Sequence, residues 1–229
     1  MANPRHFSAR AVLFDWDGTL LNSYRADSRA YLIMFRKLEI QWTLEDLARH
    51  YSPNWFRVYR AARLHHSKWK KADRLWGAAY QAQRPPLLAG ARRVIESLHG
   101  RFVLGIVTSG SSRRVRRQLR EFGLRRYFSA IVCHEDTPAK KPHPAPLRKA
   151  MARIHARPED CVYIGDTAED IEMARRAGVR PIGVFGPFPT AARLRAAKPD
   201  ALLRSIRELP RILRPVDHDI GLNCAMALF

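Results

Sequence analysis

The stretch that most constrains this chain is Ala11-Val12-Leu13-Phe14-Asp15-Trp16-Asp17-Gly18-Thr19-Leu20-Leu21. Four apolar residues have the length and character of a strand buried on both faces, and they end where two carboxylates begin. Gly18 permits a sharp turn and a close backbone approach there. The pattern places Asp15 and Asp17 just beyond the carboxyl end of a core strand, which is where open α/β sheets bind ligands.

The rest of the chain supplies the other strands. Arg10 to Asp15 reads as the first. Arg101 to Val107, Ala130 to Cys133, Cys161 to Gly165 and Pro181 to Phe185 follow, with a weaker one at Ala201 to Leu203. Between them lie helical patterns at Ala91 to Leu98, Ser111 to Phe122 (stopped by Gly123), Pro146 to Ile154, Ala168 to Ala177 (stopped by Gly178) and Ser205 to Leu213. Alternation of this kind predicts an α/β fold with a parallel sheet covered on both faces. From Asn22 to Pro86 the strand patterns vanish and helical spacing takes over, as in Tyr31, Phe35 and Leu38 and in Trp55, Val58, Tyr59 and Ala62. Asp27 or Ser28 is the candidate cap of the first of these helices and Thr43 of the second. The expected organisation is a catalytic core of residues 1–21 and 87–214, a helical insertion of residues 22–86, and a tail of residues 215–229.

Composition limits the classes open to it. The chain has 229 residues, 46% of them hydrophobic, enough for a substantial core. No apolar run reaches the roughly 18 residues of a membrane span, and residues 1–10 lack the apolar segment of a secretory signal. Cys133, Cys161 and Cys224 show no metal-ligand spacing, so a reduced, cytoplasmic protein without structural disulfides is expected. The 41 Lys and Arg against 21 Asp and Glu give a formal charge of +20, which favours anionic partners. The densest cluster, Arg113, Arg114, Arg116, Arg117 and Arg120, shares one helix with an apolar side of Val115, Leu119 and Phe122, and reads as a solvated face rather than a nucleic-acid footprint.

Polar residues recur at the strand ends: Asp15 and Asp17; Thr108-Ser109-Gly110; Lys140-Lys141-Pro142; and Gly165-Asp166-Thr167 with Asp170. In a parallel sheet these four clusters fall on one edge. Several carboxylates gathered at one point repel and call for a cation. Hard oxygen ligands favour Mg²⁺, and a lysine with hydroxyls beside it suits a phosphoryl group. A carboxylate can attack phosphorus, and an acid two residues on can protonate the leaving oxygen. Taken singly, each has a plainer reading. Thr108 is a helix cap. Asp170 is an acid in a helix first turn. Asp166 is a cap beside Thr167, and Lys140 or Lys141 is a solvated loop lysine.

With these four motifs in order, the chain resembles the haloacid dehalogenase superfamily, and most closely its phosphoglycolate-phosphatase-like branch with a helical cap. The resemblance extends to about Leu213. It implies a Rossmann-like core with an inserted α-helical cap and Mg²⁺-dependent hydrolysis of a small phosphate monoester, 2-phosphoglycolate first, through an aspartyl phosphate. By that match Asp15 is the nucleophile, and Asp17 the general acid/base that also lends a backbone carbonyl to the metal. Thr108, Ser109 and Gly110 bind phosphate, and Lys141 neutralises nucleophile and phosphoryl oxygens. Asp166 is a direct metal ligand, and Asp170 a ligand through water or a partner of Lys141. An acid at position 17 speaks for phosphate esters over halides. Asn22 and Lys140 depart from the branch's usual pattern and bear on substrate identity. The partner implied is a small phosphorylated metabolite, with no membrane and with nucleic acid kept only as an alternative, for a monomer or homodimer. The alternatives are a sugar phosphomutase on the same core or a non-catalytic basic protein binding nucleic acid. In the insertion, Arg25, Arg57, Arg60, His65 and His66 are candidate contacts for an anionic substrate, with most of them expected at the surface, and Trp55, Trp69 and Trp76 are expected in its core.

Overall fold

A computed structural model describes residues 6–216. In chain order its elements are β1 (Phe7–Ala9), β2 (Ala11–Phe14), α1 (Tyr24–Lys37), α2 (Leu44–His50), α3 (Trp55–Ala61), α4 (Trp69–Gln81), α5 (Ala91–Leu98), β3 (Val103–Val107), α6 (Ser112–Glu121), β4 (Ala130–Val132), α7 (Ala145–Arg153), β5 (Cys161–Gly165), α8 (Ala168–Arg176), β6 (Arg180–Val184), α9 (Ala191–Ala196), β7 (Ala201–Leu203), α10 (Leu209–Ile212) and β8 (Leu213–Pro215).

Six strands form one parallel sheet in the order β4-β3-β2-β5-β6-β7. β2 lies at its centre, flanked by β3 with Val12 opposite Leu104 and by β5 with Val12 opposite Val162. Every residue of β2 is buried, because both faces are covered. Val12 and Phe14 pack in the cluster containing Ile95 of α5 and Leu119 of α6. Ala11 and Leu13 pack in the opposite one, with Met151 of α7 and Met173 of α8. The chain leaves β2 toward β3 on one side and returns through β5 on the other. The carboxyl end of β2 is therefore the switch point at which such sheets open a crevice.

Between β2 and β3 the four helices α1 to α4 enclose their own apolar cluster, built on Tyr31, Met34, Phe35, Leu47, Val58 and Tyr59. The chain enters and leaves this segment at one place. Leu21 and Leu87 form an antiparallel bridge, and Asn22 N–H and Leu88 N–H donate to Pro86 O and Leu20 O, each at 2.9 Å. Thr43 caps α2 as expected, in a reciprocal box with Asp46. The first helix begins earlier than expected. Its N-cap is Ser23, and Asp27 N–H donates to Ser23 O at 2.8 Å, so Asp27 and Ser28 lie inside the helix. The tethered neck, not a side-chain cap, sets that start.

Two further differences concern the ends. The single helix expected over Ser205 to Leu213 is a 3₁₀ turn at Ile206–Glu208 capped by Ser205, then the short α10 with Pro210 in its first turn. The chain then straightens into β8, which pairs in parallel with β1. Leu213 is fully buried there, and that burial outweighs continuation of the helix. Cys133 and Cys161 are free buried thiols. Cys224 and all but two residues of the expected tail lie outside the described residues. No described helix is long and apolar enough to cross a membrane.

Candidate active site

Asp15 follows the last residue of β2 and is 6% exposed. Lys141, from the loop before α7, reaches it with Nζ 2.6 Å from Asp15 Oδ1, and the same nitrogen lies 2.8 Å from Asp170 Oδ1 and 2.8 Å from the Tyr163 hydroxyl. Of the two neighbouring lysines, Lys141 is the one brought to Asp15. Lys141 is 2% exposed, whereas Lys140 turns away and donates to the carbonyls of His134 and Thr137.

Asp170 uses both oxygens. Oδ1 faces Lys141, while Oδ2 accepts from Thr167 N–H at 3.1 Å and from Thr167 Oγ1 at 2.7 Å, closing the capping box of α8. Asp170 thus closes the capping box with one oxygen and meets Lys141 with the other. Asp166 ends the turn after β5 and is fully buried. Its Oδ1 accepts from Thr19 Oγ1 at 3.1 Å, but its buried Oδ2 has no hydrogen-bond partner. Oxygens from Asp15, Asp166 and Asp170 lie within 4.8 Å of one another. Gly18, at φ +84°, makes this approach possible, since a Cβ there would stand 2.3 Å from Asp166 Oδ2.

Electrostatics follow from crowding charge in a dry place. Burial raises the Asp15 carboxyl to about 7; Lys141 opposes this and the charge of Asp170 adds to it. Burial, then Asp15 and Asp170, push Asp166 well above the usual carboxylate range. Burial alone would lower Lys141, but Asp15 and Asp170 overcome it and hold the ammonium above its ordinary value. Three acids thus share one lysine, and an orphaned carboxylate oxygen completes an arrangement that fits a divalent cation.

Thr108 lies at the end of β3, and its hydroxyl accepts from Gly110 N–H at 3.0 Å. Of the expected phosphate-facing backbone donors, Gly110 N–H is therefore turned onto Thr108, while Ser109 and Gly110 still line the cavity over Asp15. Asp17 also lines it, with its carboxylate held by Arg114 of α6 at 2.8 and 2.6 Å. Arg114 in turn lies 3.4 Å from the Tyr80 hydroxyl of α4.

The cavity holds about 270 Å³. Its far wall comes from the helical segment and includes Asp27, Tyr31, Trp55, Tyr59, Asp73 and Trp76. Trp55, Trp69 and Trp76 pack against the segment's apolar cluster as expected. Trp55 and Trp76 face the cavity as well as packing against the segment's apolar cluster, while Arg25, Arg57, Arg60, His65 and His66 are absent from its lining. Helical spacing shows which positions are apolar but not which aromatic rings straddle the inner and outer surfaces.

The haloacid dehalogenase-like hydrolase family matches residues 12–184. The chain belongs to that family. Among curated proteins, this hydrolase is 28% identical to the pyrophosphatase PpaX of Anoxybacillus flavithermus over 207 residues, 88% of this chain and 95% of that one. Among solved structures, a predicted phosphoglycolate phosphatase of Haemophilus somnus superimposes with a TM-score of 0.79 at 22% identity, covering 89% and 97% of the two chains. CbbY of Rhodobacter sphaeroides, in complex with phosphate, superimposes with a TM-score of 0.75 at 26% identity, covering 88% and 96%. The α/β architecture with its parallel sheet is the fold of this family.

Arg114 is the site residue that sequence reasoning did not find. It stands in a run of arginines on one helix, and its target is 97 residues away in the chain. The only available signal was its place in the first turn of the helix that follows Thr108-Ser109-Gly110.

Proposed function

We propose that this hydrolase is a Mg²⁺-dependent phosphatase acting on a small phosphate monoester through an aspartyl-phosphate intermediate. The observation that carries the reading is Lys141 Nζ set between Asp15 and Asp170 beside a carboxylate oxygen with no partner. Asp15, Asp166 and Asp170 would hold the metal, with the Asp17 backbone carbonyl as a further ligand. Bound Mg²⁺ supplies positive charge against the phosphoryl oxygens.

Asp15 attacks phosphorus, forming a carboxylate O–P bond as the P–O bond to the alcohol breaks. Lys141 neutralises Asp15 and the phosphoryl oxygens, and Thr108 and Ser109 position that group. Asp17 gives its proton to the departing alkoxide. Water then attacks phosphorus, Asp17 takes its proton, and phosphate leaves Asp15. A carboxylate gripped by both nitrogens of Arg114 is not free to donate, so the pair opens before proton transfer. Tyr80 and Trp76 lie beside that pair, so a shift of α4 is the movement that opens it. Closure of the helical segment would keep bulk water out during the first step.

The test is phosphate release from a panel of esters and pyrophosphate with Mg²⁺, with Asp15→Asn as control. No release from any member, or full activity in Asp15→Asn, sinks the proposal. Mutase chemistry on the same site is separated by offering sugar phosphates: isomerisation without net phosphate release would replace hydrolysis as the reading.

A further inference from the structure

The chamber beyond Asp15 and Asp17 does not have the wall chemistry of an anion receptor. Residues 22–86 carry 13 Lys and Arg against 5 Asp and Glu. Yet this segment turns two of those five acids, Asp27 and Asp73, into the cavity and none of its lysines or arginines. Among the described residues neither acid joins an ion pair, and the one arginine of the lining, Arg114, is already taken by Asp17. Asp73 accepts a hydrogen bond from the Tyr59 hydroxyl at 2.9 Å. Trp76 and Trp55 also line this wall, and their buried indole N–H groups have no hydrogen-bond partner among the described residues. Burial raises both carboxyls above their ordinary range, Asp27 to about 8, so a cation seated between them would return them to the ionised form.

The remaining wall is aromatic, with the Tyr31 and Trp76 rings 6.1 Å apart and tilted by 59°. Aromatic faces joined to carboxylates attract a cation, most of all a bulky, weakly hydrated one. A second anion would meet unpaired carboxyls, lose its water and find no free cation in return. A volume of about 270 Å³ suits a head of a handful of non-hydrogen atoms.

We propose that this chamber selects a phosphate monoester whose alcohol carries a positive charge, a protonated amine or a quaternary ammonium, and rejects esters bearing a second anion; the proposal rests on the phosphatase reading above. The phosphate end would sit at Asp15 and Lys141, and the cationic end among Tyr31, Trp76, Asp27 and Asp73.

The test compares kcat/KM, with Mg²⁺, for charged esters and their neutral isosteres: phosphocholine against 3,3-dimethylbutyl phosphate, and phosphoethanolamine against propyl phosphate. 2-Phosphoglycolate serves as the anionic arm and p-nitrophenyl phosphate as a general reporter of hydrolysis. At least one charged ester is expected to exceed its isostere by about tenfold, with 2-phosphoglycolate below both. Asp27→Asn with Asp73→Asn should bring that ratio near one. Hydrolysis of the reporter with no preference in either pair, or with 2-phosphoglycolate preferred, overturns this proposal and leaves the phosphatase reading standing. Absence of hydrolysis from every ester, the reporter included, removes both. The isostere comparison uses the unaltered protein, so a variant that fails to fold does not spare the proposal.

Discussion

Arg114 meets Asp17 side by side, Nη1 to Oδ1 at 2.8 Å and Nη2 to Oδ2 at 2.6 Å, with their side chains only 11% and 21% exposed. The guanidinium also lies 4.9 Å from the Tyr80 ring centre, so one side chain joins α6, the turn after β2 and helix α4. Removing one partner of such a pair strands the other. Arg114→Ala is expected to cost about 3 kcal/mol of stability and to lower kcat more than it raises KM. Arg114→Lys should restore part of the stability but little of the kcat, because an ammonium cannot make the two parallel bonds. Denaturant titration and steady-state kinetics measure both. Equal kcat in all three proteins would show that Arg114 does not position Asp17.

Lys141→Met leaves Asp15 and Asp170 buried beside each other without their shared cation. Loss of about 3 kcal/mol is expected in EDTA, with phosphatase activity reduced by about 10³-fold. Millimolar Mg²⁺ should return part of the lost stability, since a divalent cation meets the same carboxylates. Thermal unfolding with and without Mg²⁺ reads the difference.

Metal binding should itself stabilise the unaltered protein, by about 2.7 kcal/mol at a hundredfold excess over Kd. Asp166→Asn is expected to abolish that gain, because it replaces the carboxylate whose Oδ2 has no partner. Gly18→Ala should do the same by another route. It places a methyl 2.3 Å from that oxygen and forces φ +84° on a residue with a side chain. A Mg²⁺-dependent rise in melting temperature that survives in either variant would relocate the metal.

Burial, with the charge of Asp17 adding to it and Arg114 opposing, raises Asp27 from the ordinary 3.8 to about 8. Below 3.8 folded and unfolded chains both hold the proton. Between 3.8 and about 8 only the folded chain holds it, so this group's contribution to stability falls as pH rises through that window. Asp27→Asn should therefore stabilise the protein little at pH 4 and progressively more toward pH 8. A pH-independent effect would show that Asp27 is well solvated.

What could be read from residue order, and what could not, divides along the range of the interactions. The strands at 11–14, 103–107 and 161–165 are legible because burial on both faces makes them continuous apolar runs. The loops that follow them are legible because topology alone sends them to one edge. Asp15, Lys141, Asp166 and Asp170 converge for that reason. The partner of Asp17 is not legible: five similar arginines stand on α6, and only the folded arrangement brings Arg114 to Asp17 and to Tyr80 of α4. The start of α1 and the end of the last described helix differ from the local signals because long-range pairing, at Leu21–Leu87 and between β1 and β8, overrides local capping and propensity.

The narrow neck at Leu21 and Leu87 has a consequence for how such a chain can diversify. Because its two threads are already joined there, whatever lies between them adds little further closure entropy, however long it becomes. The helical segment is in that sense a detachable head on a fixed handle. On the proposal above, substrate preference could be exchanged by splicing a different head at 22 and 86, provided the new head restores the contact that Tyr80 makes with Arg114.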